Sequence, residues 1–253
     1  MFENKIVFKC LKELLELTDI KPEPISYSIP EWFKKLEHSF TNMTVKGCLP
    51  FMDTLTTGYL LRTQQDYYFN LKKRNNPKEG ESEWDYQVRP SLQTIGGHLA
   101  AQSEYTGVAT TPSWHGNIQL FGSTFIERNL ADVFFKFDNP WFIETPPGYS
   151  CLFVPPLNNN DNRFEVLSGI VDTDMHIQRI QFPAVFNGWK YKQGYEGTVK
   201  KGTPLVQVIP FKRERWKMKI ETLSKFDIDK RNFNMASKRF KYIRSVWQKK
   251  STR

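Results

Sequence analysis

The 253-residue chain is predicted to be mainly β, with a folded-over or barrel-like core, short flanking helices and a basic amphipathic helix at the C-terminus. Three observations predict this. Between Asn139 and Phe211, apolar runs alternate with Pro and Gly turns, from NPWFIETPPGYSCLFVPPLN to GTPLVQVIPF. Aromatic residues make up 15% of the chain, 20 of them Phe, which is enough apolar mass for a real core. Charge is uneven: residues 212–253 hold 15 Lys/Arg against 4 Asp/Glu, whereas the preceding 211 hold 21 against 23. The chain therefore divides into an N-terminal extended and helical segment over 1–42 packing on the core, a β-rich core over 43–211, and a basic tail over 212–253.

The elements follow in order. Ile6–Leu17 begins with a short apolar alternation and continues as KELLEL, with Leu11, Leu14 and Leu15 on one helical face. KPEPISYSIP, with three prolines in ten residues, is an extended connector. Pro30 suits the first turn of a short helix carrying Trp32, Phe33 and Leu36. TVKGCLPFMDTLTTGYLLRT and QDYYFNLKK are expected as two or three strands, and KRNNPKEGESEWD as an exposed loop. Residues 93–117, with Gly96, Gly97, His98, Gly107 and His115, have the composition of site-lining loops. Ile118–Phe125 and Asp132–Phe137 return to strand-like text, and NNNDN over 158–162 is a turn. Prolines at 146, 147, 155, 156 and 183 keep the strands short and broken at corners. In the tail, Phe233, Ala236, Phe240, Ile243 and Trp247 recur at helical spacing, which predicts a helix around Arg231–Lys250.

Composition excludes several classes. No apolar run approaches the length of a membrane-spanning helix, so no membrane partner is expected, and the N-terminus lacks the apolar core of a signal peptide. Cys10, Cys48 and Cys151 are odd in number and widely spaced, which fits neither a disulfide framework nor a zinc pair and favours a reducing cytoplasm. There is no P-loop, Gly-x-Ser-x-Gly or dinucleotide-binding glycine motif. Cys151, inside a strand, is expected as a small core residue rather than a nucleophile.

Three pieces occur in a distinctive order: FIETPPGYSCLFVPP, then LSGIVDTD leading to RIQFPAVFN, then VKKGTPLVQVIPF. Together, with MDTLTTGYLL upstream, they resemble the β-clip fold of dUTPases and dCTP deaminases. The chain as a whole is similar to an uncharacterised family of tailed-phage and bacterial proteins. The β-clip resemblance implies that Asp172 is the catalytic carboxylate and that Gly169, Ile170, Val171 and Asp174 bind a nucleotide-like ligand. It also implies that Gln207 braces the site and that Mg2+ accompanies any hydrolysis; a phage origin would place the protein in host cytoplasm. Where a dUTPase carries its phosphate-binding Arg-Ser pair, this chain has Val154-Pro-Pro-Leu-Asn. Met175-His176 replaces the aromatic after the acidic hairpin, and Gln181-Phe182 stands where a deaminase has glutamate. A competent dUTPase is therefore not expected.

Other groupings have plainer readings. His98, His115 and His176, with Glu104, Asp172 and Asp174, are of metal-binding type but have no diagnostic spacing, so loop histidines bonded to backbone are the expectation. The Asp172–Asp174 pair also suits turn capping. In the tail, Lys238, Arg239, Lys241, Arg244 and Trp247 are candidates for nucleic acid or a partner, with Trp216, Phe240 and Tyr242 available for stacking. The apolar stripe at helical spacing favours docking on the protein itself or on a second subunit. The leading expectation is a small polar ligand near Gly169–Asp174, which requires that bend to face an open hollow. The alternatives are an assembly or host-interaction protein docking through its tail and, weaker, a metal-dependent enzyme.

Overall fold

The architecture is mainly β, as the proline-punctuated strands require. The computed structural model describes residues 4–17, 19–39, 41–91, 113–236 and 246–248. Within them the strands are β1 (Val7–Lys9), β2 (Glu23–Pro24), β3 (Tyr59–Arg62), β4 (Tyr67–Lys73), β5 (Trp84–Pro90), β6 (Ser113–Gly116) and β7 (Val133–Phe137). They continue as β8 (Phe142–Glu144), β9 (Tyr149–Val154), β10 (Phe164–Val166), β11 (Gly169–Val171), β12 (Phe182–Phe186), β13 (Gly194–Val199) and β14 (Pro204–Lys212). Among the described residues these form four antiparallel sheets, ordered β1-β8, β10-β12-β7-β6, β11-β9-β14-β3-β2 and β13-β4-β5. No closed barrel is found among them.

The sheets meet over an aromatic core. On β4, Tyr67, Phe69 and Leu71 point inward and are fully buried, while Tyr68 and Asn70 face outward, the period of two expected of a half-buried strand. Phe69 meets Phe135 edge-on at 4.9 Å, and Phe135 meets Phe137 at 4.8 Å and 89°. Such pairs add about 0.5–1.5 kcal/mol beyond the area they bury. The N-terminal segment is tied to the body by two pairings, β1 with β8 and β2 with β3.

Several local expectations change. Within KPEPISYSIP, expected as extended, Ile25–Ser28 form a 3-10 turn, and Ser113–Gly116, at the end of the stretch expected as loops, is the strand β6. Leu49–Thr56, read as strand, is the helix α3, entered with Pro50 in its first turn and burying Leu55 (α1 is Lys12–Leu17 and α2 Glu31–Lys35). Ile118–Phe125, also read as strand, is a 3-10 turn leading into α4 (Thr124–Arg128); Gly122, at φ 82°, breaks the run. The tail helix, α5 (Lys225–Ala236), starts six residues before Arg231. The cause is Ser224, whose hydroxyl accepts the Asp227 N–H at 3.1 Å and bonds the Asp227 carboxylate at 2.6 Å, so the turn is capped there. Among the described residues no helix is long and apolar enough to cross a membrane.

Candidate functional site

The acidic turn follows β11, which pairs with β9 so that Gly169 faces Phe153 and Val171 faces Cys151. The turn closes on itself, because the N–H groups of Met175 and His176 both donate to the Asp172 carbonyl at 2.9 Å. Thr173 is buried at its centre, its hydroxyl 2.7 Å from that of Thr145 and donating to the Cys151 sulfur at 3.3 Å. Burial pushes the Cys151 thiol up to about 11, which makes it a core residue rather than a nucleophile.

Both carboxylates of the turn point at Arg213. The Arg213 Nη1 donates to Asp174 Oδ1 at 2.8 Å while Nη2 donates to Oδ2, and the Gly148 N–H donates to Oδ2 at 2.8 Å. This two-pronged pairing, helped by the Gly148 amide, holds the Asp174 carboxyl down at about 2. Asp172 accepts the Ser150 hydroxyl at 2.7 Å and lies 3.3 Å from Arg213 Nη1. Arg213 Nη1 also reaches the Tyr149 carbonyl at 2.9 Å, and the Arg213 N–H donates to the Gly148 carbonyl at 2.8 Å. A carboxylate with an acidity like that of Asp174 is a weak base, so the pair acts first as a clamp on the start of the tail. Arg213 is the residue that sequence reasoning missed. By composition it belongs with the tail charges, and its one signal is its place directly after the last apolar strand.

Gln207 is fully buried in β14, where it accepts the Leu157 N–H at 2.9 Å and donates to the carbonyls of Thr54 at 2.9 Å and Thr57 at 2.6 Å. Both its amide hydrogens are thus committed to the end of α3, away from the acidic turn. The backbone of Gly169–Val171 runs along an exposed sheet edge, with open space beyond Gly169. A cleft of about 250 Å3 lies nearby, lined by Lys5, Thr57, Tyr59, Thr145, Tyr149 and Ile209 among others. It shares Thr145 and Tyr149 with the clamp, but no residue of 169–174 lines it.

Among the described residues the histidines form no metal-binding group. His98 and Glu104 lie outside the described residues. His115 stacks on Phe134 at 5.4 Å with Nδ1 3.1 Å from Gln119 Nε2, and its pKa is lowered by burial and then by Lys136. His176 is exposed beside the turn. Among the described residues no group of three or more His, Cys, Asp or Glu is arranged to hold a metal ion. One further carboxyl stands out. Burial pushes Asp138 up to about 7, against the pull of Arg179, and its Oδ2 is enclosed without a hydrogen-bond partner.

The tail has two faces. Lys238, Arg239, Lys241 and Arg244 lie outside the described residues, but the Trp247 indole N–H donates to the Asp53 carboxylate of α3 at 3.1 and 3.3 Å. Nearer the body, residues 213–224 run without a turn, bend or helix, and Trp216, Met218 and Ile220 are 86–88% exposed. A scan against models of protein families finds no match to this chain, and a search of curated proteins finds none similar to it.

Proposed function

We propose that this protein is an assembly module, a β scaffold whose C-terminal arm docks on a protein surface. The observation that carries this reading is the arm itself. In RWKMKIET, apolar and charged residues alternate as they do in a half-buried strand, yet Trp216, Met218 and Ile220 lie open to water. Leu223, Phe226 and Phe233 continue the exposed apolar surface into α5. A run of this kind is stabilised when another surface covers it. The acidic turn fits the same reading, since it fixes the point and direction from which the arm leaves. Acrylamide quenching of Trp216, taken as the difference between wild type and Trp216→Phe in dilute protein, should approach that of a free indole. A shielded Trp216 would mean that the arm packs on its own body, and the reading would fail.

A second reading has one specific observation in its favour: open space lies beyond Gly169, and the cleft bounded by Thr145 and Tyr149 shares those two residues with the clamp. A small polar, nucleotide-like ligand held there would raise the melting temperature in a nucleotide panel with and without Mg2+. The rise should shrink in Asp172→Ala. A flat panel would remove this reading.

A further inference from the structure

The arm leaves the body beside an open sheet edge. β11 is the last strand of the five-stranded sheet among the described residues, so its outer side carries no strand there. Ile170 on it is 65% exposed, and Met175 and Ile177 after it are 77% and 86% exposed. Nothing lies within 4 Å of where a side chain on Gly169 would begin. An edge of this kind, rimmed by apolar side chains, is a template for another strand.

The chain's own arm cannot fill it. β14 and β11 are both antiparallel to β9 and so run parallel to each other, and the arm continues β14 past the end of β11, where Arg213 is held by Asp172 and Asp174. To lie along its own β11 the arm would have to reverse direction. From Lys212 to Leu223 there is no Gly, Pro, Asn or Asp to turn it, and residues 213–224 contain no turn or bend. The arm therefore has the pattern of a strand, stands next to an edge that no described strand fills, and is directed away from it.

A second copy resolves this geometry. Root and edge occupy one spot on the surface, so a two-fold axis beside that spot brings each arm within reach of the other copy's edge, and both copies contribute the same elements. Building on the docking-arm reading, we infer that the arm of one copy adds as a strand to the β11 edge of a second copy, giving an arm-exchanged dimer. Trp216, Met218 and Ile220 lie over the partner's patch formed by Ile170, Met175 and Ile177. Lys217 and Lys219, on the other face, stay in water. The ten residues after Arg213 span roughly 33 Å when extended, ample for the crossing. Two arms with their apolar helix residues carry on the order of 1,000–2,000 Å2 of surface, counting the aromatic side chains at about 150–250 Å2 each. That is the range of a stable interface.

Light scattering after size exclusion, on the full chain over a concentration series, should show a dimer. Ile170→Lys and Met218→Lys should each raise its dissociation constant about 30-fold or more, as truncating a buried apolar anchor does. Lys217→Ser should leave it within about three-fold, as at a rim position. Both lysine variants alter exposed positions, so an unchanged melting curve of dilute protein verifies their fold. In a Cys48→Ser background, mixing Ile170→Cys protein with Trp216→Cys, Met218→Cys or Ile220→Cys protein should give a disulfide between copies in at least one mixture. A dimer that survives Ile170→Lys and yields no mixed disulfide overturns the β11 edge. A chain monomeric at every concentration with an open Trp216 overturns the second copy and leaves the docking-arm reading standing, whereas a monomer with Trp216 shielded overturns both. Salt-sensitive binding to a polyanion without a dimer assigns the arm to nucleic acid and overturns the inference.

Discussion

β14 and the arm that continues it are one run of chain with two fates. In β14, Leu205, Val206 and Val208 are buried between β9 and β3, and even the polar Gln207 is sealed in by three backbone partners. Eight residues on, Trp216, Met218 and Ile220 alternate with lysines and are 86–88% exposed. Apolar periodicity records a capacity to pair with something. Burial records whether that something is in the same chain. The boundary between the two is Arg213, held by Asp172 and Asp174.

Several substitutions would break or sharpen this contrast. On the buried side, Gln207→Leu leaves the Leu157 N–H and the carbonyls of Thr54 and Thr57 without partners. At about 1–3 kcal/mol for each stranded group, partly offset by relaxation, a loss of about 3–5 kcal/mol is expected from urea unfolding. A loss below about 1 kcal/mol would show that the sealed amide is not what holds α3 to the sheet.

Asp138 should make stability depend on pH. Its folded pKa, about 7, is above the unfolded value of 3.8, so the folded state binds the proton more tightly and stability falls as pH rises from 4 to 7. Asp138→Asn should flatten that decline and gain on the order of 3 kcal/mol over wild type at pH 8, read from denaturant midpoints. Parallel wild-type and variant curves would place Asp138 in water.

At the clamp the sign reverses. Asp174, held at about 2, contributes stability that is present above its unfolded value of 3.8 and is lost as pH falls toward 2. Arg213→Met should weaken this acid-side loss and also loosen the arm, read as faster proteolysis after Lys212. An unchanged acid limb would mean that Arg213 is not what holds the Asp174 carboxyl down. The smallest effect belongs to the arm. Trp216→Lys should move the stability of dilute protein by less than about 0.5 kcal/mol, as exposed positions do. A larger loss would show that the arm already packs on its own body.

Much of this fold was legible, because proline-limited apolar runs allow little else: β4, β7, β9, β12 and β14 all fall where alternation and turn residues put them. Two short runs misled for a physical reason. LPFMDTLT and the text around Phe121 are rich in Thr and aromatics, yet a first-turn proline and a glycine at positive φ decide their local geometry. At the candidate site, sequence located the acidic turn and the buried Gln207. Arg213 shows in the sequence only by its place after the last apolar strand, and nothing there names Asp174, 39 residues earlier, as its partner. Contacts across such a separation are set by strand order, which β9 fixes by standing between β11 and β14. The tail illustrates the converse, since helical spacing pointed past Arg231 while the serine cap that starts α5 lies upstream of it.

The bond from Trp247 to Asp53 gives the tail a second mooring, so the chain leaves the body at Arg213 and is fastened to it again 34 residues later. A segment pinned at two points samples far fewer shapes than a free end does. The stretch is tethered at both ends before it meets any surface, which lowers the ordering cost that usually opposes the capture of a loose chain.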